Sequence, residues 1–165
     1  ALLAFVFDRG DFGWHSLLVS KPYLIALSCS LLEYKLLCRW TTVRWAFWTG
    51  LAVTCAGELL RKTARLQART AFTHKIRRQR RDGHELVTNG VYSVVRHPGY
   101  VGWWIFSVGT QLMLANPTCC VLFAAVGHQF FRRRVPIEER HLHSMFGVEY
   151  AEYRGSVPSG IPGVS

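Results

Sequence analysis

Residues 85–104 read ELVTNGVYSVVRHPGYVGWW, and the rest of the chain is arranged about them. They join a basic polar segment to an apolar run. Arg96, His97, Pro98, Gly99 and Tyr100 are crowded just before that run begins. Polar groups at the mouth of a membrane segment are costly to keep there, so they mark a candidate functional site. Thr88-Asn89-Gly90 and Pro98-Gly99 are two turn signals within the stretch.

Downstream, residues 101–115 and 118–131 are apolar and separated by Asn116-Pro117, which predicts a helical hairpin. Arg96 precedes one arm and Arg132, Arg133 and Arg134 follow the other. Cations at both feet place those feet on the cytosolic side of a bilayer. If the short arms form a re-entrant hairpin instead, Gln111, His128 and Gln129 face protein or a cavity. After the hairpin, Pro136 suits a first helical position, which predicts a separate helix over residues 137–146. Glu138 and Glu139 then sit in its first turn, where the helix dipole favours acids, and Gly147 ends it. A Pro/Gly-rich tail follows.

Upstream, residues 16–38 form an apolar helix that carries Glu33, read as a structural carboxylate. Residues 43–60 form a second, with Trp45 and Trp48 as an interfacial belt and Glu58 four residues before Lys62 as an ion pair. The first is long enough to cross a hydrocarbon core, which takes about 20 residues. Residues 61–83, RKTARLQARTAFTHKIRRQRRDG, are the most basic block. Its first part continues as a helix, and the block marks the cytosolic face and attracts anionic lipid.

The whole chain has 165 residues, half of them hydrophobic, and a net charge of +10. That size fits one domain. Concentrated positive charge on an apolar chain suggests a membrane protein or a nucleic-acid binder. The charge lies at the feet of apolar segments, and the basic block offers only Phe72 for base stacking, so no nucleic-acid partner is expected. The five cysteines lie in or beside apolar runs without a Cys-x-x-Cys pair and read as buried thiols. His141 and His143 are two apart and do not share a helix face, and no metal site is expected. The chain begins at Ala1, and no signal peptide is expected from its first residues.

The run HELVTNGVYSVVRHPGYVGWW (84–104) resembles the isoprenylcysteine carboxyl methyltransferases, integral membrane enzymes of the endoplasmic reticulum. So do TQLMLANP (110–117), FFRRRVPIEE (130–139), FGVEYAEYRGSVPSGIP (146–162) and, more loosely, GELLRK (57–62). The resemblance implies an all-α, multi-pass transmembrane protein with a cytosol-facing cofactor pocket built from C-terminal loops and helices. Residues 1–60 supply N-terminal membrane helices; residues 61–165 supply the methyltransferase region, with its hairpin at 101–131. It also implies an enzyme that moves a methyl group from S-adenosylmethionine to the C-terminal carboxylate of a prenylated cysteine, on small GTPases and similar CaaX proteins. By the resemblance, His84, Glu85, Leu86, Val87, Tyr92, His97, Pro98, Gly99, Tyr100 and Glu138 surround the donor, and Arg134 meets the substrate carboxylate. Arg77 stands where the family usually has Gln, and Val135-Pro136-Ile137 where it commonly has a Thr-Glu run. Two other readings compete: an NADPH-dependent sterol-type reductase with a similar Arg-His-Pro-x-Tyr turn, and a non-catalytic lipid-binding protein.

Overall fold

The computed structural model describes residues 21–37, 44–68 and 86–164. It is all-helical: α1 (Lys21–Leu37), α2 (Arg44–Ala68), a short 3-10 turn (Gly90–Ser93), α3 (Pro98–Met113), α4 (Pro117–Phe146) and α5 (Val148–Ser156). His84, Glu85 and Arg77 lie outside the described residues.

Helices α2 and α3 pack antiparallel with their backbones nearly touching. Gly50 meets Met113, Thr54 meets Gly109, and Gly57 meets Gly102 and Phe106. On both helices the glycines stand seven apart, two turns, so they line one face. A Cβ added at Gly57 would lie 2.4 Å from the Phe106 amide nitrogen, and one at Gly102 would lie 2.6 Å from the Gly57 carbonyl. Backbone atoms cannot step aside as a side chain can. We therefore expect Gly57→Val to force the helices apart and to cost about 1–3 kcal/mol, the usual penalty of overpacking. Thermal unfolding in detergent measures it; an unchanged midpoint would mean that the close approach is dispensable.

The hairpin tip forms as the sequence predicts. Asn116 precedes α4, and Pro117 takes its first position, where a missing N–H costs nothing. Glu33 of α1 accepts the Thr118 and Cys119 amides at 2.8 and 2.7 Å, so it satisfies the exposed start of α4. That is the structural role expected of it. Behind the tip, Ser30, Gln111 and Asn116 form a buried polar cluster: the Ser30 hydroxyl donates to Gln111 (2.7 Å) and the Asn116 amide to the Ser30 carbonyl (2.9 Å). Gln111 therefore faces protein, His128 donates to the Pro162 carbonyl at 2.8 Å, and Gln129 is exposed. Glu58 lies 3.5 Å from Lys62, the expected pair, and also 3.5 Å from Arg61.

Several expectations are corrected. Cys29 and Cys55, read as buried thiols, are exposed. Residues 118–131 and 137–146 form one helix, not two, with Pro136 inside it. Proline there removes one hydrogen bond, but Phe131, Val135 and Glu139 are buried at four-residue spacing on either side of it. One continuous buried stripe holds the helix across the break. Glu138 and Glu139 consequently lie late in a long helix, outside the reach of its N-terminal dipole. Pro98 and Gly99, read as a turn, begin α3 instead, with His97 as the preceding cap residue.

Large apolar side chains face outward on several helices: Ile25, Leu32 and Leu36 on α1, Trp45 and Trp48 on α2, Val121, Val126 and Phe130 on α4. Among the described residues, no helix is long and apolar enough to cross a membrane. The 16 residues of α3 reach about 24 Å, less than the ~30 Å of a hydrocarbon core. The 25 residues of α2 are long enough, but Glu58, Arg61 and Lys62 crowd their second half.

Candidate functional site

The site sits where the start of α3 crosses α4. The cap residue His97 and, on α3, Tyr100 and Val101 form one side, and α4 answers with Phe131, Arg134, Val135, Glu138 and Glu139. The His97 and Tyr100 rings stack at 5.6 Å and 11°, and Tyr100 stacks on Phe131 at 4.9 Å. The Tyr100 hydroxyl donates to Glu138 in a short contact, and Arg134 Nε approaches the same hydroxyl at 3.4 Å. Four of the residues implied by the resemblance thus form one connected group: His97, Tyr100, Glu138 and Arg134.

Consecutive residues on a helix are about 100° apart, and this divides the labour of the two glutamates. Glu138 is half-buried and faces Tyr100. Glu139 is 4 % exposed and faces inward, where it binds Arg96, itself 3 % exposed. Arg96 Nε and Nη2 donate to Glu139 Oε1 at 2.9 and 2.8 Å. His97 Nε2 lies 3.2 Å from the same oxygen, and Arg154 Nε lies 3.5 Å from Oε2. Burial pushes the Glu139 carboxyl up, but hydrogen bonds and charge from His97 and Arg96 outweigh it. The net effect holds the group below its ordinary 4.5.

The same arginine fastens the C-terminal tail. Its Nη1 donates to the Arg154 carbonyl (3.0 Å) and, in a short contact, to the Val157 carbonyl. The amides of Arg96 and His97 donate to the carbonyls of Pro158 (2.9 Å) and Ser159 (3.3 Å). Ile161 then enters the core beside Phe131 and Val135. Arg96, a cation at the foot of the hairpin in the sequence, is instead the buried centre of a tertiary network.

Leu86 packs against the cluster of Phe146, Tyr150 and Tyr153. Val87 is half-buried. The turn at 88–90 exists as expected: Gly90 adopts φ +59°, and the 3-10 turn follows it. That turn rests on the end of α2. Gln67 accepts the Val91 amide at 2.9 Å, and the Tyr92 hydroxyl donates to the Ala64 carbonyl at 3.3 Å. From the other side, Tyr153 donates to the Tyr92 carbonyl at 2.6 Å. Burial is the main reason the Tyr92 phenol titrates well above its ordinary range, so it stays a neutral donor. The Tyr92 hydroxyl is therefore engaged with α2, and Glu138 and Tyr100 lie near enough to add to its upward shift.

The outer face of α4 forms a shallow, open recess lined by its own side chains, Ala125, Val126, Gln129, Phe130, Arg133, Arg134 and Ile137. The recess is apolar along most of its length and cationic at one end. Arg132 and Arg133 are exposed, as expected of surface anchors. Among the described residues, no group of three His, Cys, Asp or Glu could hold a metal ion.

Sequence reasoning missed Glu139, Gln67 and Tyr153. The doubled acid at 138–139 was a usable signal, because two adjacent residues on a helix must serve different neighbours. Gln67 and Tyr153 left none, since their partners are backbone atoms far away in sequence.

A charged, aromatic cluster lies at the foot of an apolar helical hairpin in an all-helical protein. Comparison with known proteins makes the class specific. The model of the isoprenylcysteine carboxyl methyltransferase (ICMT) family matches residues 48–144. Protein-S-isoprenylcysteine O-methyltransferase B of Arabidopsis thaliana is 46% identical over 154 residues, covering 91% of this chain and 78% of the relative. The Homo sapiens protein-S-isoprenylcysteine O-methyltransferase is 44% identical over 147 residues, covering 87% of this chain and 52% of the relative. Among solved structures, the eukaryotic intramembrane Ras methyltransferase ICMT superposes with a TM-score of 0.93 at 36% identity, over 99% of this chain and 61% of that one. The chain belongs to the isoprenylcysteine carboxyl methyltransferase family. It spans about half the length of its human relative. Neither the reductase nor the non-catalytic reading draws support from these relatives.

Proposed function

We propose that this chain catalyses methyl esterification of the C-terminal carboxylate of a prenylated cysteine, with S-adenosylmethionine as donor. The observation that carries the reading is the linked group His97–Tyr100–Glu138–Arg134, placed where the apolar recess along α4 becomes cationic. The acceptors are small GTPases and other CaaX-processed proteins. The chain is a multi-pass protein of the endoplasmic reticulum membrane with this site facing the cytosol. Residues 1–60 contribute membrane helices and residues 61–165 the methyltransferase region. The outward Ile25, Leu32, Trp45, Val121 and Phe130 suit lipid contact, since apolar patches of that extent are disfavoured in water.

The donor-site residues are Leu86, Val87, Tyr92, His97, Pro98, Gly99, Tyr100 and Glu138, together with His84 and Glu85 beyond the described residues. Glu138 supplies a half-buried anion for a cationic or hydroxyl-bearing ligand, and Tyr100, stacked against both His97 and Phe131, walls it on one side. When bound, S-adenosylmethionine supplies an electrophilic methyl group on a sulfonium. Tyr100 and Glu138 hold and orient that ligand, and the hydrophobic neighbours Phe131 and Val101 keep water away. Arg134 orients the acceptor carboxylate through a two-pronged contact. An α-carboxylate is ionised at neutral pH, so no residue is needed as general base. The residues act by proximity and orientation.

The test is direct. Purified protein in detergent is mixed with methyl-labelled S-adenosylmethionine and farnesylcysteine or geranylgeranylcysteine analogues. Label should move to a base-labile ester. Binding of NADPH without binding of S-adenosylmethionine would overturn the reading.

A further inference from the structure

Glu139 has a place in the site that its neighbour Glu138 does not fill. It touches no open recess, yet it binds the two residues, Arg96 and His97, that lead into α3. We propose that Glu139 is a positioning residue of the methyl-donor site: its buried carboxylate fixes the tautomer and plane of the His97 imidazole, and through that ring the Tyr100 wall. This rests on reading the site as a methyl-donor site.

An ionised carboxylate only accepts hydrogen bonds. His97 Nε2, 3.2 Å from Glu139 Oε1, must therefore carry the hydrogen. In the neutral ring, Nδ1 is then left as the acceptor. The ring plane follows from the same contact and lies nearly parallel to Tyr100, at 11°. Tyr100 in turn reaches Glu138. One carboxylate thus sets a chain of orientations: Glu139 to His97, His97 to Tyr100, Tyr100 to Glu138.

A purely structural role would not demand a carboxylate. A buried ion pair can be replaced by apolar residues of similar volume at little cost, or with a gain in stability. No apolar residue can hold a histidine tautomer. Arg96 keeps the carboxylate ionised, and the carbonyls of Pro158 and Ser159 hold the Arg96 and His97 amides from the far side. The imidazole is therefore gripped through both its backbone and its ring.

The test compares donor and acceptor affinities. Glu139→Gln should weaken S-adenosylmethionine binding about tenfold or more, the worth of one hydrogen bond to a charged group. The KM for the farnesylcysteine analogue should stay within about twofold, because Glu139 lies away from the Arg134 recess. In the wild type, imidazole ¹⁵N signals of His97 should report the Nε2–H tautomer. The paired variant Arg96→Met with Glu139→Leu removes both charges and separates the two roles. Its stability should recover relative to either single variant while donor binding stays weak. The proposal is overturned by an Nδ1–H tautomer in the wild type, by unchanged donor affinity in Glu139→Gln, or by donor affinity that returns with stability in the pair. Should the wild type bind no S-adenosylmethionine at all, it is the functional reading that fails, and the tautomer measurement still decides the role of Glu139 toward His97.

Discussion

Arg96→Ala should destabilise the fold by about 3–5 kcal/mol, the cost of stripping one partner from a buried ion pair. The magnitude follows from what the guanidinium holds. It neutralises Glu139 at 2.8 Å in a site only a few per cent exposed, and it satisfies the carbonyls of Arg154 and Val157. Truncation leaves the buried carboxylate facing His97, the half-exposed Arg154 and the Tyr150 phenol, without its main cation. For a chain of this size the unfolding midpoint should fall on the order of 10 °C. Arg96→Lys should rescue only part of the loss, since an ammonium cannot reproduce the fork. The tail should loosen at the same time, and faster amide exchange at Ile161 and Val164 would report it.

Acid should do to the wild type what the mutation does to the pair. The Glu139 carboxyl titrates below its ordinary value in the folded protein. A lowered acid contributes stability that is present above about 4.5 and is lost as pH falls through the folded value. The wild type should therefore lose stability below that point. The variant Arg96→Met with Glu139→Leu should show a flatter acid limb, having no carboxylate at position 139 to protonate. An identical acid limb in both would assign the acid sensitivity to other groups.

How much of this was legible beforehand depends on how local each signal is. Asn116-Pro117 and Thr88-Asn89-Gly90 announce turns through their own backbone preferences, and both turns are there. The Glu58–Lys62 pair needs only helical spacing. Gly147 ends α4 at φ +56°, a conformation that other residues rarely adopt. Pro136 misled because its local preference for a helix start was outweighed by the buried stripe on both sides of it. Arg96 looked like an interfacial cation because its partners lie 43 to 61 residues away. Periodicity cannot reveal a pair like that. The glycine spacing on α2 and α3 could have been read as a close helix contact, and it was there to be found.

The largest effect on activity should come from Arg134→Ala, with a loss of about 100- to 1,000-fold in kcat/KM for the prenylcysteine acceptor. Arg134 is half-buried, and its contact with the Tyr100 hydroxyl at 3.4 Å is a long one, so its truncation should cost the fold about 1 kcal/mol. The form of the loss matters more than its size. In the reaction the acceptor carboxylate gives an oxygen lone pair to the methyl carbon as that carbon leaves sulfur; no proton moves, and two opposite charges vanish together. An arginine that gripped the carboxylate as tightly in the transition state as before it would gain little, because the charge it binds is fading. Its contribution must then lie in where it holds the oxygen, which predicts that Arg134→Lys recovers acceptor KM more than kcat. Donor affinity should change little in either variant, because Glu138 keeps its hydrogen bond from Tyr100. Full activity in Arg134→Ala would remove the arginine from the mechanism and move the search for the carboxylate's partner to Arg133, which lines the same recess.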